Sequence, residues 1–169
     1  KAIELHEPFE DGRSIAAKRY RTAQKCTKPE MVSAMVKRAL TAGIMADYLL
    51  ADAWFGTKGI IRLTQETDLV PVLRMKKNNM KYRICEFVCD ETVSRELDVK
   101  GLYKHYVRKA WQPICRQKYQ AKTVDVELNL AESKDPEEWV KVRLLFVRGN
   151  AGDTQTTAGK HDWAVFLTT

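Results

Sequence analysis

Met31, Val32, Met35, Val36, Ala39 and Leu40 recur at the one-face spacing of an α-helix, with Lys37 and Arg38 on the opposite side. Just ahead, Thr27-Lys28-Pro29-Glu30 has the form of a capping box: a hydroxyl at the cap, proline in the first turn and glutamate three residues on. Gly43 is placed to end the helix, so the pattern predicts one over Lys28 to Ala42, its apolar stripe packed on a sheet. The next run, Tyr48-Leu49-Leu50-Ala51, is apolar throughout and reads as a short central strand buried on both faces. A second helix is predicted from Thr57 to Glu66. Leu69 to Met75 reads as another strand, with Pro71 tolerable near its start. Helices alternating with strands argue an α/β fold.

From Lys76 the chain becomes basic and only weakly periodic, with strand-like pieces around Tyr82 to Val88, Lys122 to Leu130 and Trp139 to Val147. We read residues 76–160 as a β-rich basic insertion hung on a core made by residues 1–75 and by a returning strand within 161–169. Met75 and Trp163 are then expected to be neighbours. Residues 149–162 hold almost no apolar side chain and are expected to form an exposed loop. The extended-looking Ala2 to His6 and the strand-like Trp163 to Thr169 make both ends look cut.

Composition narrows the class. In 169 residues, apolar side chains never run together for the roughly 18 positions of a membrane helix. No leader pattern opens the chain, so a soluble, cytoplasmic protein is expected. Cys26, Cys85, Cys89 and Cys115 have unrelated spacings and are expected to be reduced and buried; a zinc site from Cys85, Cys89, Cys115 and His105 lacks turn residues and a second pair. The net charge of +7 is concentrated in residues 57–122, which hold 15 Lys and Arg against 7 Asp and Glu. That excess suits a polyanion, and equally a solvated basic surface.

Asp52 interrupts the apolar stretch YLLADAWFG at the end of the first strand, the edge where open α/β sheets bind ligands. Three roles are open to it. It could cap the following helix, act as a general base, though no titrating partner is evident, or ligate a hard cation such as magnesium.

The stretch from Thr27 to Arg83, with Asp52-Ala53-Trp54-Phe55 after a strand and Met75-Lys76-Lys77-Asn78 closing the next, resembles the region of the second catalytic aspartate in bacterial DDE transposases of the insertion-sequence-4 type. Val142 to Arg148 and Trp163 to Thr169 are similar to the strands leading to that family's last catalytic helix. The resemblance implies a partial ribonuclease-H-like core with a β-rich insertion, and an enzyme that cuts and joins double-stranded DNA at insertion-sequence ends. It implies Asp52 as one carboxylate of a site for two Mg2+ (or Mn2+) ions, and a homo-oligomer when the protein is complete and DNA-bound. Asp11 has the wrong context for the first aspartate. No tyrosine is followed three residues later by the arginine of the family's Tyr-x2-Arg-x3-Glu-x6-Lys motif. We therefore expect an internal fragment, inactive alone. Arg74, Lys76, Lys77, Lys81 and Arg83 are expected to hold phosphates. Lys104, Arg108, Lys109, Arg116 and Lys118, interleaved with Tyr103, Tyr106, Trp111 and Tyr119, form a second DNA-binding group or the solvated face of a helix. Trp54 and Phe55 are expected to pack the next helix on the sheet. The competing class is a non-catalytic DNA-binding module or domesticated transposase remnant.

Overall fold

The computed structural model describes residues 12–88, 91–115, 119–132, 135–149 and 163–169. The chain divides into two compact units, one ending at Ile44 and the other beginning at Met45.

The first unit holds two helices. α1 (Ile15–Lys25) starts at Ser14, whose hydroxyl accepts from Ala17 N at 3.1 Å. α2 (Lys28–Thr41) has the full capping box: Thr27 N donates to Glu30 Oε2 at 2.6 Å, and Glu30 N donates to Thr27 Oγ1 at 3.5 Å. The Thr27 amide holds the Glu30 carboxyl below its ordinary pKa. Gly43, at φ 84°, ends the helix as its position predicts. The expected burial of the apolar stripe is not found: α2 buries none of its residues, and Met35 is 57% exposed.

In the second unit, β1 (Tyr48–Ala51), α3 (Lys58–Glu66) and β2 (Val70–Arg74) follow in the predicted order. Then come β3 (Lys81–Val88), β4 (Glu91–Asp98), α4 (Val99–Tyr106), β5 (Gln112–Pro113), β6 (Tyr119–Asn129), β7 (Trp139–Gly149) and β8 (Trp163–Thr168). The strands form one eight-stranded mixed sheet in the order β1-β2-β8-β7-β6-β3-β4, with β5 also on β6. Among the described strands only β1 and β2 run parallel; the other pairs are antiparallel. This mixed α/β architecture is consistent with a partial ribonuclease-H-like fold.

Alternation sets the core. Val124, Val126 and Leu128 of β6, Val142, Leu144 and Phe146 of β7, and Trp163, Val165 and Leu167 of β8 are buried, while Asp125, Lys141 and Arg143 between them are exposed. Ile60, Ile61 and Leu63 of α3, Val99 and Leu102 of α4, Leu73 of β2, and Tyr82 and Ile84 of β3 are buried as well. Two cations tie α3 to the connection after β6: Lys58 Nζ donates to Ala131 O at 2.8 Å and Arg62 Nη2 to Leu130 O at 3.1 Å. Glu138 accepts from Arg62 at 2.9 Å and raises its pKa.

One expectation changes. β1 is an edge strand, not a buried central one. It pairs with β2 alone among the described strands, and Tyr48 and Leu50 are 60% and 72% exposed. The strands from Lys81 to Gly149 are continuous with β1, β2 and β8 and supply the β7-β6-β3-β4 side of the sheet, with β5 on β6. The chain leaves and re-enters at one place, since Met75 N donates to Val165 O at 2.8 Å. Residues 150–162, and with them most of the expected loop, lie outside the described residues, as do Ala2 to His6.

Candidate functional site

Ala51 pairs with Leu73 in the parallel β1–β2 ladder, so Asp52 lies one step past the pairing, level with Arg74 at the carboxyl ends of both strands. Asp52 is exposed. Its Oδ1 accepts from Trp54 N at 2.9 Å and its carbonyl from Phe55 N at 3.1 Å, closing a tight turn. The helix cap is a different residue: Thr57 Oγ1 accepts from Ile60 N at 3.4 Å. The capping role is therefore filled without Asp52.

Gly56 fixes where this turn sits. It is buried, and a Cβ there would lie 2.7 Å from Arg74 O and 2.9 Å from Met75 Sδ. The turn after β1 is thus pressed on the end of β2, which brings Lys76 to Trp54, its ammonium 4.1 Å from the ring centroid. Trp54 is 63% exposed, so it does not pack α3 on the sheet as expected; Phe55, half-buried, is the residue that turns inward.

The predicted cations divide. Arg74, Lys76 and Lys81 are exposed and follow one another along the β2–β3 connection. Lys77 Nζ sits 3.9 Å over the Trp163 ring, and Tyr103 of α4 stacks on Trp163 at 4.2 Å with 2° between planes. Two groups so close to one centroid occupy opposite faces. Arg83 lies 3.3 Å from the Trp139 ring and within 4.0 Å of carboxylates of Glu96, Glu127 and Glu137. Lys109 meets Glu86 at 3.2 Å, beside the 2.8 Å contact of Glu86 with His105. Those hydrogen bonds, His105's first, hold the Glu86 carboxyl below its ordinary pKa. Arg83 and Lys109 therefore already have carboxylate partners.

Lys104 and Arg108 are exposed on and just beyond α4, as the helical reading of the second basic group expects. Its aromatics serve the fold: Tyr103 stacks on Trp163, and Trp111 carries Arg148 at 4.0 Å and donates Nε1–H to Tyr106 O at 3.1 Å. Arg116 and Lys118 lie outside the described residues. Cys85 and Cys115 are exposed free thiols, not buried ones, and Cys26 is half-buried. Cys89 lies outside the described residues.

The chemistry of the edge is that of an exposed hard oxygen donor beside a short basic run. Asp52 suits a divalent cation as one ligand, but no group of three His, Cys, Asp or Glu among the described residues could hold a metal. The described residues thus do not complete a metal site.

The carboxyl ends of β1 and β2 thus set one exposed carboxylate beside exposed cations, on a mixed α/β sheet. Residues 5–131, about three quarters of the chain, match the family model described as DDE superfamily endonuclease, and the chain belongs to that family. DDE endonucleases act on DNA and generally use divalent metals. No curated protein and no solved structure matches the chain. No helix among the described residues is long and apolar enough to cross a membrane.

Proposed function

We propose that this chain is part of a DDE transposase of the insertion-sequence-4 type, which cuts and joins double-stranded DNA at the ends of a mobile element. The observation that carries the reading is the position of Asp52: exposed, at the carboxyl end of a parallel strand, free of the helix-capping duty and adjacent in register to a basic run. In the complete enzyme Asp52 would be one ligand of Mg2+ or Mn2+, whose chemistry is to stabilise attacking and leaving oxygens at a phosphodiester. Arg74, Lys76, Lys77, Lys81, Lys104 and Arg108 are the cations we place against DNA phosphates. Residues 76–160 are, on this reading, an insertion that lengthens the core sheet, supported by the adjacency of Met75 and Val165. A homo-oligomer on DNA and a cytoplasmic location complete the proposal.

The second reading is a DNA-binding module without catalysis, in keeping with the lack, among the described residues, of a group of three His, Cys, Asp or Glu that could hold a metal. Nicking of supercoiled plasmid with Mg2+ or Mn2+ separates the two. The 169-residue chain is expected to leave plasmid intact, because one carboxylate does not assemble a two-metal site. A longer protein containing it is expected to nick, and Asp52→Ala in that protein to abolish nicking while leaving DNA binding in place. Nicking that survives Asp52→Ala would remove Asp52 from the chemistry. Failure of every longer form to nick would leave the binding module.

A further inference from the structure

α1 and α2 form the two walls of a groove of about 550 Å3. Ile15, Arg19 and Ala23 line it from α1, and Met31, Met35 and Arg38 from α2, spacings that place each set on one face of its helix. The apolar side chains on those faces are open: Ile15 is 70% exposed, Met35 57% and Met31 37%. α1 buries only Ala17 and α2 nothing. Helices of 11 and 14 residues are marginal in water and draw most of their stability from a covered apolar face. Among the described residues this pair is short of such a cover.

Charge says what the cover is. Between Gly12 and Ile44 the sequence carries eight Lys and Arg and a single carboxylate, Glu30. Glu30 lies on the groove, but its Oε2 accepts from the Thr27 amide and hydroxyl at 2.6 and 2.8 Å. Lys18, Arg19 and Arg38 line the groove and are exposed.

We propose that the α1–α2 groove docks an amphipathic helix of a partner protein, apolar along one stripe and rich in Asp and Glu beside it. A trough with two helical walls fits a rod, and a third helix laid in it would bury Ile15, Met31 and Met35 together. Unbranched thioethers adapt to different apolar ridges, which suits such a surface. The flanking cations would meet the carboxylates and steer the approach. A second copy of this unit would bring like charge to like charge, which opposes association. Duplex DNA would satisfy the cations but has no apolar ridge to cover the methionines, and a membrane surface is too flat to enter a two-walled trough. This docking goes beyond the DNA reading and does not involve the Asp52 edge.

The test uses a fluorescein-labelled synthetic peptide of about 18 residues, roughly five helical turns, with leucines at one-face spacing and glutamates elsewhere. It is titrated with the 169-residue chain and followed by anisotropy. The peptide is expected to bind one per chain, less tightly as salt rises. A peptide of the same composition with its leucines scattered is expected to bind at least about tenfold more weakly. Met31→Ser with Met35→Ser is expected to lower affinity about tenfold, and Met31→Leu with Met35→Leu to keep it. Arg19→Gln with Arg38→Gln is expected to lower affinity and flatten its salt dependence. No binding, equal binding of the scattered peptide, or full affinity in the serine pair would each overturn the proposal. Should circular dichroism show that the serine pair loses helix, the arginine pair decides, and unchanged affinity there overturns it as well. Displacement of the peptide by a short DNA duplex, with duplex affinity itself falling in the serine pair, would overturn it in favour of nucleic acid. The same result with phosphatidylserine vesicles would overturn it in favour of a membrane.

Discussion

A carboxylate after an apolar run invites the thought of a costly buried charge, and at Asp52 that cost does not arise, because the side chain is in water and hydrogen-bonded to the Trp54 amide. The residue under steric constraint is Gly56. The groups a methyl would strike are the Arg74 carbonyl, which belongs to the sheet, and the Met75 sulfur. Gly56→Ala is therefore expected to destabilise the chain by about 1–3 kcal/mol, the usual cost of overpacking, and to move the turn that holds Asp52 and Trp54. Gly59 is the internal control. It lies in α3 with nothing within 4 Å of its added Cβ, so Gly59→Ala is expected to stabilise by about 0.4–1 kcal/mol. Denaturant unfolding of both variants checks the pair; equal shifts would show that the turn is not wedged on β2.

At the scale of elements, β1 and β2 share a ladder and differ in almost everything else. Leu73 is fully buried between β1 and β8, whereas Leu50, its neighbour across the ladder by one register step, is 72% exposed. Leu73→Ala is expected to cost about 2–5 kcal/mol, and Leu50→Ser in the same chain less than about 0.5 kcal/mol. A large loss from Leu50→Ser would mean that β1 is covered in solution. This contrast also marks the limit of what was legible. Local signals located α2, α3 and the pairs Tyr82 to Val88, Lys122 to Leu130 and Trp139 to Val147 well, because capping chemistry and side-chain period are properties of short segments. An apolar run such as Tyr48 to Ala51 shows only that a strand is apolar; whether a neighbour covers it is decided by strand order, which is not local. The same blindness hid α1, β4 and the alternation-poor β5. That Asp52 follows the end of β1 was readable from its place in the run, but the wedge at Gly56 was not, since it depends on how closely two non-adjacent segments approach.

For the molecule as a whole, the basic excess of residues 57–122 is not one surface. Lys58 and Arg62 donate to backbone carbonyls after β6, Arg83 sits among three glutamates, and Lys109 is tied to Glu86. These cations hold elements together, and counting them toward a polyanion overstates the charge available to it. What remains exposed at and after the end of β2, the strand paired with the one that leads to Asp52, is the run Arg74, Lys76 and Lys81, with Lys77 half-exposed on Trp163. Phosphate contacts release counterions, so each one adds a slope of about 0.9 to the fall of log affinity with log salt. Replacing Lys76, Lys77 and Lys81 together by glutamine is therefore expected to flatten that slope by up to about three units for duplex DNA. Arg83→Gln alone is expected to leave the slope unchanged, because its guanidinium faces carboxylates and the Trp139 ring. The paired measurement separates a local interface from a diffuse one. If the triple variant keeps the wild-type slope, or if Arg83→Gln lowers it as much as any single lysine, DNA is held by the overall positive field and not by the edge beside Asp52.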